Sequence, residues 1–244
     1  MSNIVFILGA GASKQCGAPL MTNFLDVAAE LLRTNKVQEK RAEFEQVFKT
    51  IGELQVVHSK AQLDLNNIES IFTVLELGRI IQRIPGLKPE EITLTIAALK
   101  DLIVKTLEVT MLFPVRERQY IDVPKPYDTF AELLLHLKQK SSPPHSVSVI
   151  SFNYDIAVDL AMFRNNLGPD YILDKPQNHN DTMPLMKLHG SLNWATVAST
   201  KQIKPLHLVD YLSHYSASFG SKGVFVPIGS QLVDYFRRHA STEV

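Results

Sequence analysis

The chain has 244 residues, of which 45% are hydrophobic and 20% are charged, proportions that are typical of a folded globular protein. Its 25 basic residues balance 25 acidic ones, so no overall charge draws it to nucleic acid or to an anionic membrane. A single cysteine, Cys16, excludes an internal disulfide and a zinc site built from cysteines. The first residues lack the pattern of a secretory signal peptide, and the apolar run at residues 4–8 is too short to span a bilayer. We therefore expect a cytoplasmic protein that binds neither nucleic acid nor membrane directly.

The first half of the chain is predicted to be one strand followed by a block of helices. Residues 4–8 form a continuous apolar run that ends at Gly9, as in a strand buried on both faces of a parallel sheet. Apolar residues then recur at helical spacing, and the helices that this predicts cover about 21–33, 37–57, 66–84 and 89–112. We therefore predict a large helical insertion after the first strand, over residues 22–114.

The second half alternates strands with helices. The predicted strands are 147–152, 184–188 and 224–227, and the predicted helices are 129–140, 155–164 and 230–239. This alternation indicates an α/β fold with a Rossmann-like, doubly wound parallel sheet. We predict a single domain over 1–244, in which residues 1–21 and 115–244 form the sheet core.

A glycine-rich turn follows the first predicted strand. Residues 9–13 read Gly-Ala-Gly-Ala-Ser where a strand passes into a helix, and small residues there let backbone N–H groups approach a phosphate. The strict dinucleotide-binding fingerprint is not met, because Lys14 occupies the third glycine position, and no Walker motif follows. The alternative is a tight turn in which glycine serves close packing alone.

Polar residues also follow the next two predicted strands. Asn153 and Asp155 come after one of them, and His189 comes after the other. Ligands of open parallel sheets bind at the carboxyl ends of the strands, so these residues are candidates to face the same crevice as the glycine turn. Each also has a simpler explanation. The first two suit capping of the helix that follows, and a histidine before glycine suits a hydrogen-bonded turn.

Taken in order, these motifs resemble the sirtuin core. The glycine turn continues to Gly-Ala-Pro at 17–19, as in the sirtuin opening, and the Asn-Tyr-Asp of 153–155 precedes a His-Gly pair. The closest resemblance is to the sirtuin-like domains of bacterial antiphage systems, which share the fuller Lys-Leu-His-Gly-Ser-Leu-Asn-Trp form of 187–194. The resemblance extends from residue 4 to about residue 227.

The resemblance implies a hydrolase that cleaves the bond between nicotinamide and ribose, releases nicotinamide and ADP-ribose, and so depletes NAD in response to infection. Position by position, it implies that Asn153 and His189 are the catalytic pair and that Asp155 contacts the nicotinamide side of NAD. The implied NAD-binding residues are Gly9, Ala10, Gly11, Ser13, Asp155 and Ser191.

Two departures separate the chain from deacetylase sirtuins. Leu-Met-Thr at 20–22 replaces the aspartate-phenylalanine-arginine of that branch, and the four cysteines of its structural zinc are absent. We therefore expect no zinc, and the resemblance implies that NAD is the substrate. The polar residues around His179 fit no zinc spacing and are expected to form a solvated loop.

The turn that holds the adenine end of NAD in this family has only Gly229-Ser230 as a counterpart here. Three alternatives stay open: the adenine pocket is exposed, a partner chain completes it, or the sequence is a piece of a longer protein.

Cationic nicotinamide leaves without a general acid, so the residues must assist an oxocarbenium-like ribose and the water that attacks it. In our interpretation His189 is the base and Asn153 positions water or a ribose hydroxyl. Two other functions stay open: a non-catalytic module that senses NAD or ADP-ribose and acts through a partner, and ADP-ribosyl transfer to a protein. A homo-oligomer or a complex with a partner protein is expected.

Overall fold

The chain divides into two units, each described below by itself. The computed structural model describes residues 3–58, 63–116, 120–142, 144–173, 181–196, 202–205 and 226–227. The sheet unit comprises Met1–Ala18 and Met111–Val244, and the helical unit comprises Pro19–Thr110. Within the described ranges no helix combines the length and the apolar character needed to cross a bilayer.

The elements are numbered along the chain. The helices of the helical unit are α1 (Phe24–Arg33), α2 (Arg41–His58), α3 (Ile68–Ile81) and α4 (Pro89–Thr110). Those of the sheet unit are α5 (Lys125–Leu135) and α6 (Ala157–Arg164). The strands are β1 (Asn3–Leu8), β2 (Leu112–Phe113), β3 (Val115–Arg116), β4 (Tyr120–Ile121), β5 (Ser146–Ser151), β6 (Gly168–Asp170), β7 (Thr182–Lys187), β8 (Trp194–Thr196), β9 (Ile203–Pro205) and β10 (Val226–Pro227).

A four-stranded parallel sheet organises the sheet unit, in the order β1-β5-β7-β6. The unit is therefore mixed α/β and Rossmann-like, as the sequence predicts. β1 pairs with β5 along its whole length, and the register of β5 with β7 continues that alignment, so Leu8, Ser151 and Lys187 lie in one row. The carboxyl ends of three strands are level, and the residues that follow them emerge at one edge of the sheet.

The two faces of the sheet differ in burial. Val149 of β5 is fully buried, and on the same face the ring of Phe6 meets that of Phe130 from α5 edge-on, with centroids 5.3 Å apart. On the other face of β1, the side chains of Val5 and Ile7 are 52% and 68% exposed. The prediction that the first strand is buried on both faces is therefore wrong.

The helical unit has a core of its own. Helix α4 packs against α1, α2 and α3. Asn67 caps α3 by accepting a hydrogen bond of 2.9 Å from the backbone N–H of Glu69, and Pro89 begins α4 with two glutamates in its first turn. The buried side chains at the centre of this core include Phe44, Leu54, Ile71, Leu75, Ile92, Leu99 and Leu102.

Several predicted elements differ from the observed ones. The helix predicted at 129–140 begins earlier, at Lys125, and ends in a π-helical turn, His136–Lys140. The strand predicted at 224–227 is observed as β10, but it pairs antiparallel with β2 and is not part of the parallel sheet. The helix predicted at 230–239 lies outside the described residues. The observed strands that were not predicted are β2, β3, β4, β6, β8 and β9.

Candidate functional site

The candidate site lies at the edge where β1, β5 and β7 end together. Gly9 follows β1, Asn153 lies two residues beyond β5, and His189 lies two residues beyond β7. Two backbone hydrogen bonds extend the sheet into this region: Phe152 N–H donates to the Leu8 carbonyl at 3.0 Å, and Leu188 N–H donates to the Ser151 carbonyl at 2.9 Å. The sheet thus brings together the three segments that the sequence singles out.

The glycine turn forms a 3-10 helix, Ala10–Cys16, directly after β1. A Cβ atom added at Gly9 or Gly11 would meet no heavy atom within 4 Å, and neither glycine has a positive φ. Close packing and backbone conformation therefore do not account for these two glycines. Gly17 differs, because it ends the turn at a φ of 91°, which favours glycine. The space in front of Gly9 and Gly11 lets another molecule approach the backbone.

Asn153 joins the glycine turn to the loop after β5. Its Nδ2 donates to the Gly9 carbonyl at 2.7 Å and to the Ser13 hydroxyl at 2.8 Å. A carbonyl oxygen only accepts, which fixes the amino group of the amide on this side. The hydroxyl of Ser13 in turn donates to Oδ2 of Asp155. The hydrogen bonds therefore run from Asn153 through Ser13 to Asp155.

Asp155 is buried and acts as a structural anchor. Its Oδ1 accepts a hydrogen bond of 2.9 Å from the backbone N–H of Ala157 at the start of α6, while its Oδ2 accepts from Ser13. The capping interpretation holds for Asp155 only as a contact with the first N–H of α6, because the N-cap position itself is Ile156, which makes no side-chain cap hydrogen bond. It does not hold for Asn153, whose amide group reaches back to the glycine turn instead. The Ser13 side chain is also buried, and its hydroxyl contacts Asn153 and Asp155.

His189 is exposed and lies against the two aromatic neighbours of Asn153. Its ring centroid is 5.4 Å from that of Phe152 in an edge-on arrangement and 5.8 Å from that of Tyr154. Gly190 follows with a φ of 93° and donates its N–H to the Lys187 carbonyl at 3.3 Å. The histidine therefore occupies a tight turn beside the Asn153 segment.

The loop that carries His189 is tied to the loop after β5. Leu192 N–H donates to the Tyr154 carbonyl at 2.8 Å. The hydroxyl of Ser191 donates to the same carbonyl over 3.4 Å. Ser191 is half-buried at the same edge as the other predicted NAD-binding residues, and in this structure its hydroxyl contacts the protein.

A buried polar network, which the sequence motifs do not indicate, lies next to the site. The side chains of Lys187 and Asp159 are each 1% exposed, with Nζ of the lysine 3.2 Å from a carboxylate oxygen. Lys187 also donates to the Asp155 carbonyl. Tyr171 donates to Asp159 at 2.5 Å and accepts from Asn193 at 3.1 Å, and burial raises the pKa of Tyr171 well above its usual range. The available signal was a lysine at the end of an otherwise apolar strand.

Cys16 supports the glycine turn from within. Its thiol donates to the Ser13 carbonyl at 3.0 Å and accepts a hydrogen bond of 3.4 Å from the hydroxyl of Tyr127. Burial, with a smaller contribution from the negative charge of Asp155, raises the pKa of Cys16 to about 11. The thiol is therefore neutral near pH 7 and behaves as a packing and hydrogen-bonding group.

No protein-family model matches this chain, and no curated protein matches it. The likeness to sirtuin-like domains therefore depends on the sequence motifs and stays a prediction. In the part of the chain that the structure describes, no group of three or more histidine, cysteine, aspartate or glutamate side chains is arranged to hold a metal ion. His179 lies outside the described residues.

Proposed function

We propose that this chain is an NAD hydrolase of the sirtuin-like type, which cleaves NAD into nicotinamide and ADP-ribose. The observation that carries the proposal is the junction of Asn153 with the glycine turn. The amide of Asn153 lies 2.7 Å from the Gly9 carbonyl, beside the open space in front of Gly9 and Gly11, and His189 emerges at the same edge. A dinucleotide bound against the turn would meet both polar side chains.

The reaction breaks the bond between C1′ of the ribose and the ring nitrogen of nicotinamide. Nicotinamide leaves with the electron pair and becomes neutral, so no general acid is required. A water oxygen forms the new bond to C1′, and one proton of that water passes to His189 and then to solvent. Positioned proton transfer of this kind contributes about 10²- to 10⁴-fold in rate.

The hydrogen bonds of Asn153 define which of its atoms can serve this reaction. Its amide has two hydrogens, and it donates to two groups of the protein, the Gly9 carbonyl and the Ser13 hydroxyl. We therefore assign the substrate-facing role to its carbonyl oxygen Oδ1, which accepts a hydrogen bond from water or from a ribose hydroxyl. Asp155 and Ser13 keep the amide in this orientation.

Binding of the diphosphate is assigned to the backbone of the turn. Gly9, Ala10 and Gly11 offer N–H groups next to open space, and the absence of side chains beyond Cβ lets the phosphates approach closely. The Ser13 hydroxyl contributes indirectly, because it already donates to Asp155. Asp155 remains a proposed contact on the nicotinamide side of NAD, and Ser191 remains a proposed NAD-binding residue.

The proposed cellular role of the chain rests on its resemblance to the sirtuin-like domains of bacterial antiphage systems. The proposed function includes NAD depletion as an antiphage effector, with a homo-oligomer or a partner protein controlling it. The helical unit is proposed to be an insertion after β1. This is supported by its position along the chain, since Pro19–Thr110 separates the two stretches that make up the sheet unit.

A second candidate is a non-catalytic sensor of NAD or ADP-ribose. The engagement of Asp155 favours it: both oxygens of this carboxylate already accept hydrogen bonds from Ser13 and Ala157. A glycine turn that binds through its backbone would then be sufficient for recognition, and His189 would serve as a turn residue. The two candidates differ in whether NAD is consumed: a hydrolase releases nicotinamide, whereas a sensor binds NAD and releases none.

The test is to incubate the purified full chain with NAD and to quantify nicotinamide and ADP-ribose by chromatography. Asn153→Ala and His189→Ala are assayed beside the wild type, with NAD binding measured by calorimetry. His136→Ala is the matched control, because His136 is also exposed but lies at the start of the π-helical turn that precedes β5.

We expect release of nicotinamide by the wild type and by His136→Ala, and loss of release in both site variants. NAD binding without nicotinamide release, at all protein concentrations, would replace the hydrolase with the sensor. Equal turnover by wild type and Asn153→Ala would contradict the role of Asn153. Absence of both binding and release would contradict both candidates.

A further inference from the structure

The loop that carries His189 is anchored at both ends to one buried carboxylate. Lys187 precedes the histidine, and its Nζ is 3.2 Å from Oδ2 and 3.5 Å from Oδ1 of Asp159. Asn193 follows the histidine, and its Nδ2 donates at 3.1 Å to the hydroxyl of Tyr171, which donates at 2.5 Å to Asp159 Oδ1. Residues 187–193 therefore converge on Asp159 from two directions.

The same lysine also holds the segment that carries Asn153. Its ammonium group donates to the backbone carbonyl of Asp155, in the loop between β5 and α6. Asp155 in turn anchors Ser13 and the first turn of α6 through its carboxylate. One ammonium group thus contacts the loop after β5, while its own backbone ends the strand that leads to His189.

Stability alone is a weak explanation for this network. Lys187 and Asp159 are almost completely buried, and removing two charges from water costs free energy that their mutual attraction offsets only in part. Apolar residues of similar volume often replace such a pair without loss of stability. A buried pair that holds two functional loops at a fixed spacing has a specific reason to be there.

We propose that Asp159 and Lys187 are positioning residues, which set the place of His189 relative to Asn153 by clamping both ends of the 187–193 loop. This inference rests on the proposed function for its effect on catalysis. Its geometric content, the placement of the His189 ring, is independent of turnover.

The test uses a variant that removes both charges together, Lys187→Met with Asp159→Leu. This pair leaves no unpaired buried charge, so we expect the double variant to fold. The placement of His189 is followed by NMR of its ring protons, assigned with His189→Ala. The rings of Phe152 and Tyr154, with centroids 5.4 and 5.8 Å away, shift these signals from their free positions.

We expect the His189 signals of the double variant to move toward those of a free histidine. For nicotinamide release, kcat should fall on the order of 10- to 100-fold while KM changes little, because misplacement of a reacting group affects the transition state more than binding. Tyr171→Phe breaks only the Asn193 arm and should give a smaller effect of the same kind. It also serves as the second variant if the double variant does not fold.

Asn165→Ala is the matched control. Asn165 follows α6 directly, and its Nδ2 donates to Asp128 at 2.9 Å and to the Ala161 carbonyl at 3.0 Å. Its loss removes these two hydrogen bonds beside the same helix and leaves the contacts of Lys187, Asp159, Tyr171 and Asn193 in place. It should leave both the His189 signals and kcat unchanged. If the His189 signals are unchanged in the folded double variant and in Tyr171→Phe, the inference is overturned, whatever the activity. If the wild type releases no nicotinamide, the proposed function fails. The His189 signals alone then show whether Asp159 and Lys187 position the histidine.

Discussion

Gly11 offers the sharpest test of the glycine turn at the scale of a single residue. It lies within the 3-10 helix after β1 without a positive φ, and an added methyl group would meet no atom within 4 Å. Gly11→Ala should therefore fold at least as well as the wild type, with a gain of about 0.4–1 kcal/mol from the stiffer unfolded chain. The methyl group would occupy the space in which we propose that the diphosphate binds.

We expect this variant to melt at the wild-type temperature or above it, and to bind NAD at least about tenfold more weakly, the effect of losing roughly 1.4 kcal/mol. Thermal unfolding and calorimetric titration measure the two quantities. Gly52→Ala is the control, since Gly52 is a glycine of α2 that is equally free of neighbours. It should gain stability and keep its NAD affinity. Wild-type affinity in Gly11→Ala would rule out binding against this turn.

We expect the buried thiol of Cys16 to make the free energy of unfolding fall at alkaline pH. Burial favours the neutral thiol and raises its pKa from an ordinary value of 9.0 to about 11. The unfolded chain therefore loses this proton before the folded chain does. The stabilisation is fully present below pH 9 and is lost between pH 9 and pH 11, and two pKa units correspond to about 3 kcal/mol.

The free energy of unfolding, measured in urea at several values between pH 8 and pH 11, should fall more steeply for the wild type than for Cys16→Ala. The variant carries a constant loss from the missing side chain, and the slope separates this loss from the titration. Burial raises the pKa of Tyr127 in both proteins, but its contact with Cys16 adds to that rise only in the wild type, so part of the difference in slope comes from Tyr127. Parallel slopes would show that the thiol does not titrate differently on folding.

At the scale of the elements, the site edge could be predicted because its signals are local. β1, β5 and β7 each contain several apolar residues, and each ends one or two residues before the glycine, asparagine or histidine that marks the edge. Since the carboxyl ends of parallel strands meet at one edge, three separate motifs indicated one crevice. Candidate site residues in a glycine-rich turn or just after a strand can therefore be predicted from local sequence.

What the sequence did not predict depends on long-range partners. β6 consists of Gly168, Pro169 and Asp170, residue types that are poor strand formers, and it becomes a strand by pairing with β7. The order β1-β5-β7-β6 also places strands next to each other that are not consecutive in the chain. The partner of Lys187 is a helical aspartate on a different element, and no spacing rule points to it.

For the whole molecule, the proposed function predicts that NAD stabilises the folded state. A ligand that binds only the folded protein adds RT ln(1 + [L]/Kd), which is about 2.7 kcal/mol at one hundred times Kd. For the sheet unit, this free energy corresponds to a rise in melting temperature on the order of 5–10 °C. The measurement should use His189→Ala, which we expect to bind NAD without consuming it.

NAD and ADP-ribose should both raise the melting temperature of His189→Ala, because both contain the diphosphate that the glycine turn is proposed to bind. Nicotinamide alone should have a much smaller effect. If the two units melt separately, only the transition of the unit that contains β1, β5 and β7 should move, since Gly9, Asn153 and His189 all belong to it. The same titration on Gly11→Ala should give little shift. A melting temperature that stays constant up to millimolar NAD would contradict binding at this edge, and a shift confined to the helical unit would assign the nucleotide to another site.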